Sequence, residues 1–500
     1  MLPETVDTLI IGGGSAGAAL AGLLAERSDQ SVLLAEAGPD YGPLAIGSWP
    51  PEMLDARHIS TTHDWGYHSG DLLPGRRVLY ERARIIGGCS AHNGCSAVWG
   101  IRADYDGWAA LGNPGWTTDE VLPFLAAADR RLRVRRYRDE EVPPLQRTAY
   151  EAALAAGYPP SANINDVDED IGASLCPVNN HAGIRWNAAF GYLDPARHRP
   201  NLTVAGDCLA DRLVIERGRV LGAELIRGGT RHRVAASRTI LAAGAYGSPA
   251  ILLRSGVGEP AALQRIGIRP AHPLAGVGRN LQDHPYLPVR FEGSDALHRA
   301  TDEFAARLWC PEELLIVKAR SNQAGRTFDL HLLPEGGRNA DNREEWRWSF
   351  AATSVEPRSR GRLAIASADP EAMPIIEHRH LSDPEGIDLA TLVDGVEQIR
   401  AILAAPPLKP LAGRETDPIG ADRASIARWV RDHVLHYWHP AGSCAMGPSA
   451  DAGAVVDARG RIHGLEGGYV ADASIMPVVT RANTNVPAVM IAERIASWMV

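Results

Sequence analysis

Lysine is nearly missing from this chain. Lys318 and Lys409 stand alone in 500 residues, and arginine carries almost all the positive charge. That is a bias of composition without a functional signal. Positive charge is not in excess either: the formal net charge is −9, which disfavours nucleic acid or an anionic membrane as partner, since both select a basic face. No apolar run approaches the roughly 20 residues that span a bilayer. The first strand-like run begins within the first ten residues, so neither a leader nor a membrane span is expected, and a cytoplasmic location is. The six cysteines (Cys89, Cys95, Cys176, Cys208, Cys310 and Cys444) are scattered without a CxxC pair or metal-ligand spacing, and reduced thiols are the default. Internal repeats and low-complexity tracts are also lacking.

What the chain does contain is length and apolar content. Five hundred residues, 45% of them hydrophobic, imply two or more domains, each able to bury a core. The organising stretch is Thr5–Ile11, then Gly12-Gly13-Gly14-Ser15-Ala16-Gly17, then an Ala/Leu-rich run to Arg27. It predicts a buried strand, a tight glycine turn and a helix, with Ser31–Ala35 as the next strand and Glu36 at its end. Gly12 and Gly14 let the backbone approach a pyrophosphate, Gly17 lets helix and strand pack closely, and the helix N-terminus offers free N–H groups to the phosphates. Glu36 lies at the interval where a carboxylate meets a ribose hydroxyl. The fingerprint predicts dinucleotide binding and leaves FAD and NAD undistinguished.

Along the chain, Ala37 to Tyr80 reads as extended loop. The run Arg84-Ile85-Ile86-Gly87-Gly88-Cys89-Ser90-Ala91-His92-Asn93-Gly94 suits backbone packed hard against a flat ring or phosphate. A helix is expected over Thr118–Ala128, with Thr117 or Thr118 as N-cap and Glu120 in its first turn. The basic segment Arg130–Arg138 is followed at once by Asp139-Glu140-Glu141, which points to a solvated mixed-charge face and away from a nucleic-acid patch. Strands are expected at Leu202–Ala205, Leu213–Glu216, Val220–Ile226 and Thr239–Ala243. A second strand–glycine–helix junction follows at Gly244–Gly258, with its helix over Ala250–Arg254. Strand-like stretches at Phe328–Leu333 and Arg362–Ala366 and a helix at Ile387–Leu403 mark a mixed α/β region without glycine fingerprints. A last helix is expected from near Pro487 to Trp498.

Taken in order, these runs resemble the glucose–methanol–choline (GMC) flavoprotein oxidoreductases over nearly the whole chain. Gly244–Gly258 fits the family's second signature, and "VGRNLQDHP", "YVADASIMP" and "NTNVPAVMIAERIA" look like its other blocks. The resemblance implies an α/β fold, a Rossmann-type FAD-binding domain with a mixed α/β substrate domain. It further implies FAD-binding segments at 1–155, 196–285 and 431–500, and substrate-domain segments at 156–195 and 286–430. FAD contacts are implied for Gly12, Gly14, Ser15, Ala16, Gly17, Glu36, Gly88, Ser90, His92, Asn93, Gly94, Asp472, Ala473 and Asn485.

His92 stands where the family usually has an aliphatic residue, and "GGCSAHNGC" looks like choline oxidase-like members, in which this histidine carries FAD covalently at the 8α carbon. An imidazole nitrogen is a competent nucleophile for that bond, whereas the bland alternative is a buried histidine bonded to its neighbours. His439 in "WHPAGS" occupies the catalytic-base position and Asn483 its partner position. An unperturbed imidazole, with a pKa of ~6.5, suits a base that takes up and returns a proton. Trp438 resembles the aromatic wall of hydroxymethylfurfural oxidase-like and aryl-alcohol-oxidising members. A metal held by His433, His436 and His439 is disfavoured, because Pro440 breaks the helical spacing and no further ligand completes a set.

The expected activity is oxidation of a primary alcohol to an aldehyde, with oxygen favoured over a quinone or protein as electron acceptor. A non-redox hydroxynitrile lyase on the same fold is the alternative of a different class. The expected partners are a small alcohol and an electron acceptor, with a monomer or homodimer both open.

Overall fold

The computed structural model describes residues 2–57, 59–69, 77–338 and 345–500. Thr5–Ile11 forms a strand, Ser15–Arg27 a helix and Val32–Ala35 the next strand. A Cβ on Gly17 would lie 1.8 Å from the Gly12 carbonyl oxygen, so helix and turn touch only because no side chain intervenes. The far side of this helix is covered by the last one, Asn485–Ser497, which begins two residues before Pro487.

Thr5–Ile11 pairs in parallel with Val32–Ala35 on one side and Thr230–Leu241 on the other. Leu202–Ala205 extends the sheet past Val32–Ala35, and Gly468–Val470 lies parallel to the end of Thr230–Leu241. Two antiparallel strands, Arg219–Arg227 and Cys208–Glu216, complete the seven-stranded sheet. Ile11 lies in register with both Ala35 and Leu241, and Leu241 with Val470. Four strands therefore finish level, and Gly12, Glu36, Ala242 and Ala471 leave the sheet at one edge, where open parallel sheets bind ligands.

The second junction becomes a helix at Gly244, earlier than its Ala250 start in the sequence reading. Pro249 sits inside it and has no N–H for the Ala245 carbonyl four residues back. The Ser443 hydroxyl donates to that carbonyl at 2.5 Å, so the helix continues with its backbone satisfied. The Thr118–Arg131 helix is capped as expected by Thr117, whose N–H donates to Glu120 at 3.0 Å. Among its described residues, the loop from Ala37 to Tyr80 holds the short helical turns Leu44–Ile46 and Pro51–Leu54; residues 58 and 70–76 lie outside the described residues.

A second, antiparallel sheet has six strands in the order Leu435–His436, Pro285–Phe291, Trp346–Ser354, Leu330–Arg338, Leu315–Ala319 and Gly172–Leu175. The Ile387–Leu403 helix, found where expected, packs on it, and its Gly395 is so close that a Cβ would lie 2.7 Å from the Ala352 methyl. The two cores divide the chain differently from the sequence blocks. Pro144–Ala155, placed by sequence with the first nucleotide-binding segment, buries Leu145, Ala149 and Ala152 in the second core. Ala189–Leu193, placed by sequence with the substrate domain, is buried in the first core against the Ser15–Arg27 helix. Leu435–His436, placed by sequence with the last nucleotide-binding segment, pairs in the second sheet, and the Val434 before it is buried in the second core. An apolar face follows whichever core it can bury in, and motif spacing does not record that choice. Among the described residues, no helix is long and apolar enough to cross a membrane.

Candidate active site

A cavity of about 610 Å³ opens at the carboxyl edge of the parallel sheet and reaches Glu312, Glu313 and Tyr437, which adjoin strands of the antiparallel one. At the first end Gly12, Gly14, Ser15, Ala16 and Glu36 line it. The Glu36 carboxylate accepts the N–H groups of Gly13 (2.6 Å) and Gly38 (2.8 Å), and burial raises it to about 7. Gly88 has φ +52, and a Cβ there would lie 2.5 Å from the Gly14 Cα, so the two glycine turns press together as only glycines can. The Ser15–Arg27 and Asn485–Ser497 helices bring their N-termini to the same place, where the Ser15 hydroxyl donates to Asn485 Oδ1 at 3.0 Å. The Asn485 Nδ2 is buried with no partner among the described residues. Asp472 accepts from the Gly244 N–H (2.8 Å), the Ser248 hydroxyl (2.5 Å) and the Ser474 N–H (2.7 Å), which ties the second junction to the C-terminal segment; burial raises its carboxyl.

His92, Asn93, Gly94 and Ala473 also line the cavity. The His92 ring is buried, its Nδ1 has no partner among the described residues, and burial, helped by the nearby Arg82, pushes it down to about 4. It is therefore a neutral imidazole at the cavity wall. Two predicted contact residues lie elsewhere. Gly17 is spent on the helix–turn contact, and Ser90 is turned inward, donating to the Gly87 carbonyl (2.6 Å) and accepting the Ala188 N–H (3.0 Å). Both hold the cradle from behind.

At the other end are His439 and Asn483, 44 residues apart in sequence, with Asn483 Nδ2 at 3.2 Å from His439 Nε2. Both line the cavity. His439 is buried, and burial first, then His284, Arg82, His331 and His436, hold its ring well below the ordinary imidazole range. This departs from the unperturbed titration expected from sequence, and its cause is the dry surroundings of the ring. Trp438 has φ +58, which swings its indole outward to the cavity mouth, 40% exposed. Its Nε1–H donates to Glu81 Oε2 at 2.7 Å, and its carbonyl accepts from Arg82 at 3.0 Å.

His433 stacks on Trp429 with ring centroids 3.4 Å apart, and His436 is buried, bonded through Nε2 to the Leu79 carbonyl at 2.7 Å. Among the described residues, no group of three His, Cys, Asp or Glu could hold a metal ion.

Several functional residues escape sequence reasoning. Asp283 accepts the N–H groups of His439 (3.0 Å) and His284 (2.8 Å). It is held near 7 by burial. Glu312, Glu313, Trp309 and Tyr437 also line the cavity, the Tyr437 ring with its centroid 4.6 Å from that of His439. Glu313 accepts from the Tyr437 hydroxyl (3.0 Å), while Glu335 behind it accepts from Tyr286 (2.5 Å) and Ser349 (2.6 Å). Burial and mutual repulsion push Glu313 up to about 8. The available signal was a density of polar residues, Asn280-Leu-Gln-Asp-His284, in a stretch otherwise destined for the core.

A glycine-built nucleotide cradle opening onto a paired histidine and asparagine defines a dinucleotide-dependent α/β oxidoreductase. The chain belongs to the GMC oxidoreductase family, whose models match residues 6–286 and 357–492. It is an FAD-dependent alcohol oxidoreductase. It is 33% identical to an oxygen-dependent choline dehydrogenase from Pseudomonas fluorescens over 99% of this chain and 94% of that one. Identity to an oxygen-dependent choline dehydrogenase from Chromohalobacter salexigens is 35%, over 98% and 94% of the two chains. Among solved structures, pyridoxine 4-oxidase from Mesorbium loti superposes with a TM-score of 0.87 at 27% identity, covering 99% of both chains. Formate oxidase shares the fold with a TM-score of 0.84 at 22% identity, covering 99% of this chain and 98% of that one. The cradle fits FAD: close-packed glycines, two helix N-termini and the unpartnered Asn485 amide suit a dinucleotide, and the neutral His92 suits a flat ring.

Proposed function

We propose that this protein oxidises a primary alcohol to its aldehyde with His439 as base. The observation that supports this best is the His439–Asn483 pair, at 3.2 Å, in the same cavity as the nucleotide cradle. His439, neutral in its dry setting, takes the hydroxyl proton at Nε2. Asn483 orients the hydroxyl through its amide, and Trp438 walls the mouth. FAD held by the glycine cradle would supply the acceptor for the hydride that leaves the alcohol carbon, and oxygen would take up the electron pair with two protons as hydrogen peroxide. His92 is proposed to hold FAD covalently, a ring nitrogen replacing one hydrogen on the 8α carbon; the protons would leave to solvent and the two electrons would pass to oxygen, the acceptor proposed for the reaction itself, in keeping with its neutral imidazole and unpartnered Nδ1.

Within the alcohols, a cationic one is favoured. Glu312 and Glu313 with Trp309, Tyr437 and Trp438 give this end of the cavity carboxyl groups and aromatic faces, the chemistry that receives an ammonium group. Both carboxyls are raised by burial, and an arriving cation would draw them back to the charged form. The relatives named for choline agree with that preference.

The test is a panel of choline-like, aromatic and polyol alcohols mixed with the purified protein without oxygen. Bleaching of the flavin spectrum followed by peroxide on admitting air supports the reading. An unchanged spectrum with every alcohol points to a lyase, and bleaching without peroxide points to another acceptor. Denaturation in acid then tests the linkage: yellow colour that stays with the polypeptide supports it, and free FAD in solution overturns it.

A further inference from the structure

The ring that faces His439 from behind belongs to His284, whose Nδ1 lies 3.0 Å from His439 Nδ1. This contact follows from chain pairing: Pro285 lies opposite His436 and Gln282 opposite Ala441, so the two polar blocks run antiparallel side by side. On its other side His284 Nε2 lies 3.1 Å from the carbonyl oxygen of Thr480. A carbonyl oxygen only accepts, so that nitrogen carries the proton. A neutral imidazole has one N–H, so His284 Nδ1 is left with a lone pair. Two lone pairs cannot face each other at hydrogen-bond distance, and His439 must therefore be protonated on Nδ1.

We propose that His284 is a positioning residue that sets the tautomer of His439: it accepts the Nδ1–H and leaves the lone pair of Nε2 toward Asn483 and the cavity. Three observations agree independently. Burial pushes His284 down to about 3, so the ring is neutral at working pH. Asn483 presents an amide N–H, a donor, to His439 Nε2, as a lone pair there requires. The Asp283 carboxylate holds both residues by their backbone N–H groups and takes no ring proton from either, so it does not compete for the tautomer. The other titratable and charged groups that face His439 are Arg82, His331, His436 and Tyr437, whose ring centroid lies 4.6 Å from that of His439. Arg82 is a fixed cation, His331 is held neutral by burial, His436 is pushed down to about 3 and burial raises Tyr437 far above its ordinary value, so these do not titrate across the working range; Asp283, held near 7, does, and it is common to the parent and both variants. In the wrong tautomer the Nε2–H would point at the substrate hydroxyl and the base would have no lone pair to offer.

Given His439 as the base, two substitutions separate positioning from packing. In H284N the amide oxygen takes the place of Nδ1 as acceptor, whereas in H284Q the amide nitrogen keeps the donor to Thr480 and nothing accepts from His439. Expected for H284Q is a fall in kcat of about 10²-fold with KM little changed and FAD content intact. Its acid limb should move to lower pH, because the imidazolium loses the acceptor that stabilised it. H284N should stay within roughly tenfold of the parent, with its acid limb in place. Equal loss in both variants, or no loss in H284Q, overturns the proposal. Should either variant misfold, ¹⁵N NMR of the histidine-labelled parent holoenzyme decides alone: a neutral His439 with its proton on Nδ1 supports the proposal, and a proton on Nε2 overturns it. Loss of activity in H439A, by contrast, tests the base assignment and leaves the tautomer untouched.

Discussion

The two sheets build the two ends of one cavity from different materials. At the parallel sheet the walls are backbone: level strand ends, two glycine turns pressed together, and helix N-termini, with Glu36 and Asp472 occupied in tying loops to one another. At the antiparallel sheet the walls are side chains: Glu313, Tyr437, His439 and the residues behind them, each placed by a hydrogen bond to another side chain or to backbone. The first end has no room for a Cβ at Gly12, Gly17 or Gly88. The second depends on which group carries a proton. One end is therefore specialised for holding and the other for reacting.

The sharpest way to test that division is to change one residue at each end. H439A should keep its flavin yet lose about 10³-fold in the rate of anaerobic flavin reduction, because general-base help is worth that much. Full activity in H439A would break the comparison. G88A should do the opposite. Its Cβ would lie 2.5 Å from the Gly14 Cα at a positive φ, so the protein should emerge with little or no flavin absorbance, roughly 10²-fold weaker in FAD uptake, while its circular dichroism stays close to native.

A smaller effect separates binding of substrate from its chemistry. E313Q removes a carboxyl that an arriving cation would ionise, but not the base, so KM for a cationic alcohol should rise about tenfold while a neutral alcohol of the same size is unaffected. Equal effects on both alcohols would mean that Glu313 shapes the cavity without reading charge.

The smallest expected effect is on stability against pH. Glu36, Asp283 and Glu313 are raised in the folded protein to about 7, 7 and 8. Each binds its proton more tightly folded than unfolded, so its contribution is complete below the ordinary carboxyl range near ~4 and is lost as pH rises through those values. The Tm of the cofactor-free protein should therefore fall between about pH 5 and pH 8, and E313Q should flatten the decline by about 2 °C. A Tm that climbs over that interval would contradict the raised carboxyls.

The backbone-built end was largely legible in the sequence, because glycines at fixed intervals and a strand–helix–strand pattern are local signals. The same is true of the Ile387–Leu403 helix and of the Thr117 cap. His439 and Asn483 were found through blocks that resemble a family, not through periodicity. His284 was not found as a partner of His439, because their contact depends on antiparallel pairing of two blocks 155 residues apart. Glu312 and Glu313 sit in a region without fingerprints, and burial beside Tyr437 is what gives them meaning. The inward turn of Ser90 and the allegiance of Pro144–Ala155 to the second core depend on which surface was available to bury, which no local pattern encodes.

The four level strand ends carry a consequence for how this molecule is assembled. Gly12, Glu36, Ala242 and Ala471 arrive at one edge from segments spread across almost the entire polypeptide, so no fragment ending before Gly468–Val470 closes the ring of contacts around the nucleotide. Capture of the cofactor is thus expected to require completion of the whole chain's topology, and loss of the bound flavin's spectral fine structure on heating should track its collapse.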